Sequence, residues 1–379
     1  MRRELERVEI PGEAEAAERA RRVVAAALAE RAPRAAGPAR RASRAAVLAA
    51  AAAGALAVAA SPAGPALLRS VRHAVGLERA EPALVRLPAA GRLLVDSTAG
   101  AWIVAADGSK RLLGRYAESS WSPHGLFELA ARGQELAALD PKGNVRWSLE
   151  REGRVRGPRW SPDGYRVAYL AGRELRVVAG DGAGDRLVEA PVAAVAPAWR
   201  PGPGHVLAYA APDGAVRVVD ADSGARLAAW RGRNRPLRLA WSPDGTRLLG
   251  VGRSTIDLLT PSLARVSSVS LGLADPGRVT VAAAVWAPRG RRYAFVVHDA
   301  ARDRSTVFVQ GERRARFQGT GLVDGLAWSP DGRWLLVAWR TADQWVFVRV
   351  GGAPRLRAVA SISAQFRSSS YPRVGGWCC

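Results

Sequence analysis

Trp160-Ser161-Pro162-Asp163-Gly164, followed by the apolar run Val167-Ala168-Tyr169-Leu170, decides how this sequence is read. Ser-Pro-Asp-Gly fits positions i to i+3 of a type I turn, because proline presets the first central residue and glycine eases the exit. The continuous apolar run behind it suits a strand buried on both faces. The same five residues return at Trp241-Ser242-Pro243-Asp244-Gly245 and Trp328-Ser329-Pro330-Asp331-Gly332. They return with one change at Trp121-Ser122-Pro123-His124-Gly125. Two variants fill the gaps, Trp199-Arg200-Pro201-Gly202 and Trp286-Ala287-Pro288-Arg289-Gly290. The tryptophans are then spaced by 39, 39, 42, 45 and 42 residues, the signature of a repeat architecture.

Each unit reads as four short strands. One ends in the Trp, and one follows the turn, as at Leu248-Leu249-Gly250-Val251 or Trp334-Leu335-Leu336-Val337. A third follows, as at Val216-Arg217-Val218-Val219, and a weaker fourth closes the unit, as over 225–230 and 266–271. Four strands in about 42 residues is the size of a propeller blade. The repeated Trp is expected to plug the space between neighbouring blades. The structural set is therefore Trp121, Trp160, Trp199, Trp241, Trp286, Trp328 and Trp377. With it go the turn prolines Pro123, Pro162, Pro243 and Pro330 and the turn glycines Gly125, Gly164, Gly245 and Gly332. The unit around Leu93-Leu94-Val95, Trp102-Ile103-Val104 and Arg111-Leu112-Leu113 lacks its own Trp motif upstream. Pro372-Arg373-Val374-Gly375-Gly376-Trp377 resembles the strand that precedes the other turns and is expected to complete that first blade. This gives an all-β propeller of seven blades over 85–377, with six blades as the alternative count.

The Trp-Ser-Pro-Asp-Gly turns with their apolar strands resemble the TolB-type, WD-repeat-like propeller repeat. That resemblance implies a scaffold for protein contacts or an accessory domain of an enzyme, because such blades serve many roles. The chain departs from the TolB protein in having no separate N-terminal α/β domain. The order of tail, anchor and propeller resembles membrane-tethered propeller proteins of high-GC actinobacteria.

Ahead of the repeats, residues 1–44 form a charged, alanine-rich tail, with a helix expected over 13–31 and a basic linker over 33–44. Residues 45–60 carry no charge, and the uncharged run reaches Leu68, so 45–68 is read as a short single-pass transmembrane helix. A cleaved signal peptide ending near Ala57-Val58-Ala59 and a soluble alanine-rich helix are the rival readings. Arginines at 31, 34, 40, 41 and 44 outnumber those at 69, 72 and 79, which favours a cytoplasmic N-terminus and an exported propeller beyond a linker at 69–84.

The net charge of +22 comes almost wholly from arginine, since lysine occurs only at Lys110 and Lys142. The arginines are scattered and form no single stripe, so no nucleic-acid partner is expected. No Gly-x-Ser-x-Gly elbow occurs. The histidines His73, His124, His205 and His298 are far apart, and the adjacent Cys378 and Cys379 offer no metal-ligand spacing. Asp220-Ala221-Asp222-Ser223-Gly224 lacks the later glutamate of a calcium loop and reads as a hairpin turn. No catalytic, metal or cofactor site is therefore expected. The functional expectation is a non-catalytic, membrane-anchored interaction or ligand-sensing domain with protein partners in the cell envelope. The alternatives are a transmembrane signalling protein with an anti-sigma-like tail and a propeller-based hydrolase or lyase.

Overall fold

A computed structural model describes residues 86–232, 235–271, 278–351 and 355–379. The tail, anchor and linker expected over 1–84 lie outside the described residues. Among those described, no helix is long and apolar enough to cross a membrane.

The described strands form seven antiparallel four-stranded sheets, numbered here as blades from the one containing Arg92–Ser97. Their first strands are Arg373–Cys378, Glu118–Trp121, Val155–Trp160, Ala198–Trp199, Arg238–Trp241, Val279–Trp286 and Val323–Trp328. Each touches the next, and that of blade 7 touches that of blade 1, so the ring is closed. The seven-blade count holds, and six is excluded.

The apolar second strands are buried on both faces because neighbouring blades cover them. Val167, Ala168 and Tyr169 are wholly inaccessible, as are Leu248 and Leu249 and, in blade 7, Leu335, Leu336 and Val337. The fourth strands lie outermost in each sheet and alternate or face solvent, as in Val145–Glu150 and Arg265–Ser270. This is why they read as weak strands in the sequence.

The repeated turn follows its expected geometry. In blade 3 the Gly164 N–H donates to the Ser161 carbonyl at 2.9 Å. The Ser161 hydroxyl donates to Asp163 at 2.5 Å, and Asp163 also accepts the Tyr165 N–H at 3.0 Å. Successive turns nest. A Cβ added at Gly245 would lie 2.1 Å from the Pro201 carbonyl oxygen of the preceding turn, and the glycine φ of +66° already disfavours any side chain there.

Blade 1 closes as the C-terminal strand pairs with Arg92–Ser97, Leu93 facing Trp377 and Asp96 facing Arg373. Its turn is a split copy of the repeat. Trp377-Cys378-Cys379 supplies the first half and Gly91 the second, since a Cβ at Gly91 would sit 2.9 Å from Pro330 of the preceding turn. The two cysteines form a disulfide. Cys379 adopts a left-handed backbone with φ of 41°, which turns the two side chains together over Gly125 of the next turn.

Trp199, Trp241, Trp286, Trp328 and Trp377 are 5–9% exposed, whereas Trp121 and Trp160 are half-buried. The indoles of Trp199 and Trp286 donate to carbonyls of the preceding blade's first strand, at Arg159 (3.0 Å) and Ala240 (2.9 Å). Trp241 packs among Leu239, Leu248, Leu259 and Leu263. Its replacement by alanine is expected to lower stability by about 3–5 kcal/mol. Denaturant titration reads this directly, and an unchanged midpoint would mean the ring carries no packing energy.

Candidate functional site

Exposed apolar side chains gather at one place on the turn-bearing face, between blades 2 and 3. In blade 2 the turn aspartate is replaced by His124. The Ser122 hydroxyl is left to accept the Phe127 N–H at 2.9 Å. Leu126 and Phe127 follow and stand 63% and 36% exposed, and Tyr165 after the blade 3 turn is 69% exposed. Exposed apolar groups that lie together mark candidate interaction surfaces.

Phe127 stacks on Trp160 with ring centroids 6.4 Å apart. Trp147, from the outer strand of blade 2, donates its indole N–H to the Gly180 carbonyl of blade 3 at 2.8 Å. Its ring lies over Gly182, where a Cβ would approach to 2.8 Å, so glycine is required for the indole to lie flat. These rings wall a cleft of about 820 Å³, with Arg146, Arg166 and Asp181 on its rim. Arg146 reaches Asp140 at 3.0 Å and remains 57% exposed.

The rim is tied to blade 4 by an acid–histidine–acid bridge. His205 sets one ring nitrogen 2.9 Å from Asp163 and the other against Asp222, and Asp222 also accepts from Arg166 at 3.0 Å. Partial burial opposes ionisation of Asp222, but hydrogen bonds from His205 and Arg166 hold its carboxyl below its ordinary value. The other described histidines do not join this group. His124 sits in its turn, and His298 contacts Ser305 at 3.1 Å in blade 6. Asp220-Ala221-Asp222-Ser223-Gly224 is the hairpin turn expected, with Asp220 accepting the Asp222 and Ser223 N–H groups. Among the described residues no group of three or more His, Cys, Asp or Glu side chains is placed to hold a metal ion.

The arginines are less scattered than their spacing implied. Arg313, Arg314, Arg349 and Arg355 surround a second groove of about 750 Å³ between blades 6 and 7. There Glu312 engages Arg316 at 2.6 Å.

No protein-family model matches the sequence. No curated protein matches it either. Among solved structures, the Cps50 (Swd1) beta-propeller domain of Myceliophteria thermophila is similar, with 12% identity and a TM-score of 0.51. The match covers 65% of this chain and 86% of that one. A chain of the Mitotic Checkpoint Complex is similar at 18% identity with a TM-score of 0.54, covering 73% of this chain and 95% of that one. The fold is a WD40-like β-propeller. At these identities the likeness establishes the fold alone. The WD40-like ring explains why sequence reasoning missed the cleft. Trp160 belongs to the repeat set and was assigned to packing, while Leu126, Phe127, Trp147 and Tyr165 occupy positions that vary between blades. The one sequence signal is an aromatic or aliphatic residue directly after the turn glycine, at Leu126 and Tyr165, where blade 5 has Thr246 and blade 7 has Arg333.

Proposed function

We propose that this chain is a non-catalytic protein-interaction scaffold, tethered to a membrane through 45–68, whose propeller is displayed outside the cytoplasm. Its working surface is the cleft between blades 2 and 3. Its partner offers an acidic segment bearing an aromatic or aliphatic anchor. One observation carries this reading: four aromatic side chains and two arginines converge on one open cleft. Trp, Tyr and Arg dominate the energy of protein interfaces, because they bury much area while retaining a polar handle. The net charge of +22 and the exposed Arg146 favour an acidic partner. The uncharged run at 45–68 supports the tether.

The test places a photo-crosslinking residue at position 165 or, as a control, at the exposed Arg302 of a turn on the other face. Native membranes are irradiated in each case. A discrete protein adduct is expected from position 165 alone. It is expected to disappear with Phe127→Ala or Arg146→Glu, and to leave the membrane fraction when 45–68 is deleted. Equal adducts from both positions, or adducts indifferent to Phe127→Ala, would overturn the cleft as the working surface.

A further inference from the structure

The first strands of the seven blades enclose a central channel, and those of blades 1, 3 and 5 place Arg373, Arg159 and Arg238 along one cavity of about 240 Å³. The cavity also receives Glu118 from blade 2 and Asp324 from blade 7. It has room for a compact ion with some hydration.

The three guanidinium groups are not equivalent. Arg373 donates to Asp96 at 2.8 Å, and Asp96, 5% exposed, is also held by the Ser119 hydroxyl. That pair neutralises itself. Arg159 donates only to the carbonyl of Pro158, at 2.8 Å, and Arg238 only to that of Ala282, at 2.7 Å. Among the described residues neither has an ion-pair partner. The carboxylates nearby form no ion pair with either arginine. Glu118 accepts the Gly157 N–H at 2.7 Å, and Asp324 leans towards Arg340 at 3.4 Å. Arg159 and Arg238 are accessible to solvent through the channel yet enclosed by protein. Burial and then the Arg373 charge hold Arg159 below the ordinary guanidinium value, with Glu118 and Asp96 opposing. Burial does the same to Arg238, with Asp324 opposing. An arginine cannot shed its charge at any physiological pH, so its remaining N–H donors call for an anion.

We propose that the channel binds a protonated phosphate group, hydrogen phosphate or a monoester monoanion, in the cavity that Arg159 and Arg238 line, with Glu118 accepting the proton of its P–OH. Arginine forks match the paired oxygens of a phosphate. A carboxylate in the same cavity repels an oxyanion that has no proton to give and accepts from one that does. The site therefore selects hydrogen phosphate over sulfate. It is independent of the cleft and of any protein partner.

The probes are inorganic phosphate, sulfate and glycerol phosphate, added to the purified full chain at constant ionic strength, with the thermal midpoint and the phosphorus NMR line width as readouts. Phosphate is expected to raise the midpoint and broaden its line, and sulfate to raise the midpoint less. Glycerol phosphate competing with phosphate identifies a monoester site, and phosphate binding alone identifies the free anion. Arg159→Gln and Arg238→Gln are each expected to weaken phosphate binding about tenfold or more. The midpoint without phosphate should hold or rise, since a like charge has been removed. Glu118→Gln should bring phosphate and sulfate together, and Arg313→Gln in the outer groove should change nothing. Phosphate and sulfate acting alike on the unaltered chain would overturn the proposal, a result that needs no variant to fold. So would a phosphate response that survives both arginine substitutions.

Discussion

A chain that stops at residue 370 is expected to lose the cooperative fold. The truncation removes the strand paired with Arg92–Ser97 through Leu93–Trp377 and Asp96–Arg373. It removes Trp377, 9% exposed and edge-on to Phe347 of blade 7 at 5.7 Å, whose loss alone would destabilise by about 3–5 kcal/mol. It also strips the buried Asp96 of its counterion, a penalty of about 3–5 kcal/mol when one partner of a buried pair is deleted. These losses together reach the whole stability of an ordinary domain, about 5–15 kcal/mol. What remains exposes the unpaired edge of Arg92–Ser97, a template for aggregation. Size-exclusion chromatography and a thermal melt test this. A monomeric truncated chain with a sharp transition would show that blades 2–7 stand without closure.

Replacement of Glu128 by leucine is expected to have the opposite sign. Glu128 opens the second strand of blade 2 at the position filled by Leu93, Val167, Leu248 and Leu335 in other blades. All of these, Glu128 included, are wholly inaccessible to solvent. Neither carboxyl oxygen has a hydrogen-bond partner. Burial pushes the carboxyl up from 4.5 to about 8, with Arg92 opposing and Asp140 adding to the rise. A raised acid contributes full stability below its unfolded value and loses it as pH rises through the folded one. The window therefore runs from about 4.5 to about 8, with a slope near 1.4 kcal/mol per pH unit inside it. At pH 7 the accumulated loss is about 3 kcal/mol. Glu128→Leu should recover that amount, and its stability should no longer fall across the window. Urea midpoints at pH 5 and pH 8 for both proteins decide the matter. A variant less stable than the parent at pH 8 would mean the carboxylate makes an interaction worth more than its burial.

The ring was legible because its determinants are local and repeated. Trp, Pro and Gly at fixed offsets mark every turn, and the likeness of Pro372 to Trp377 to other first strands is enough to locate the closure. The split turn was hidden because Gly91 and Cys379 lie at opposite ends of the repeat region, and only folding brings them beside one turn. The cleft and channel were hidden for a related reason. Arg159, Arg238 and Arg373 stand at different heights on different blades, one directly before the repeated Trp, one three residues before and one four. No spacing in the sequence records that they share a cavity. Glu128 could have been suspected by aligning blades, since a charge at a position otherwise filled by leucine, valine or tyrosine breaks the pattern. The His205 bridge could not, because Asp163 already serves its own turn and Asp222 lies in a hairpin turn of another blade.

The closing strand also places a clock on synthesis. Asp96 and Arg373 are 277 residues apart. At about 5–20 residues per second a ribosome takes roughly 15–55 s to travel between them. Throughout that interval the first blade is a three-stranded sheet with an open side, and its neighbours accumulate faster than it can be finished. Until the closing strand arrives, the nascent chain depends on whatever holds that bare side apart from other chains.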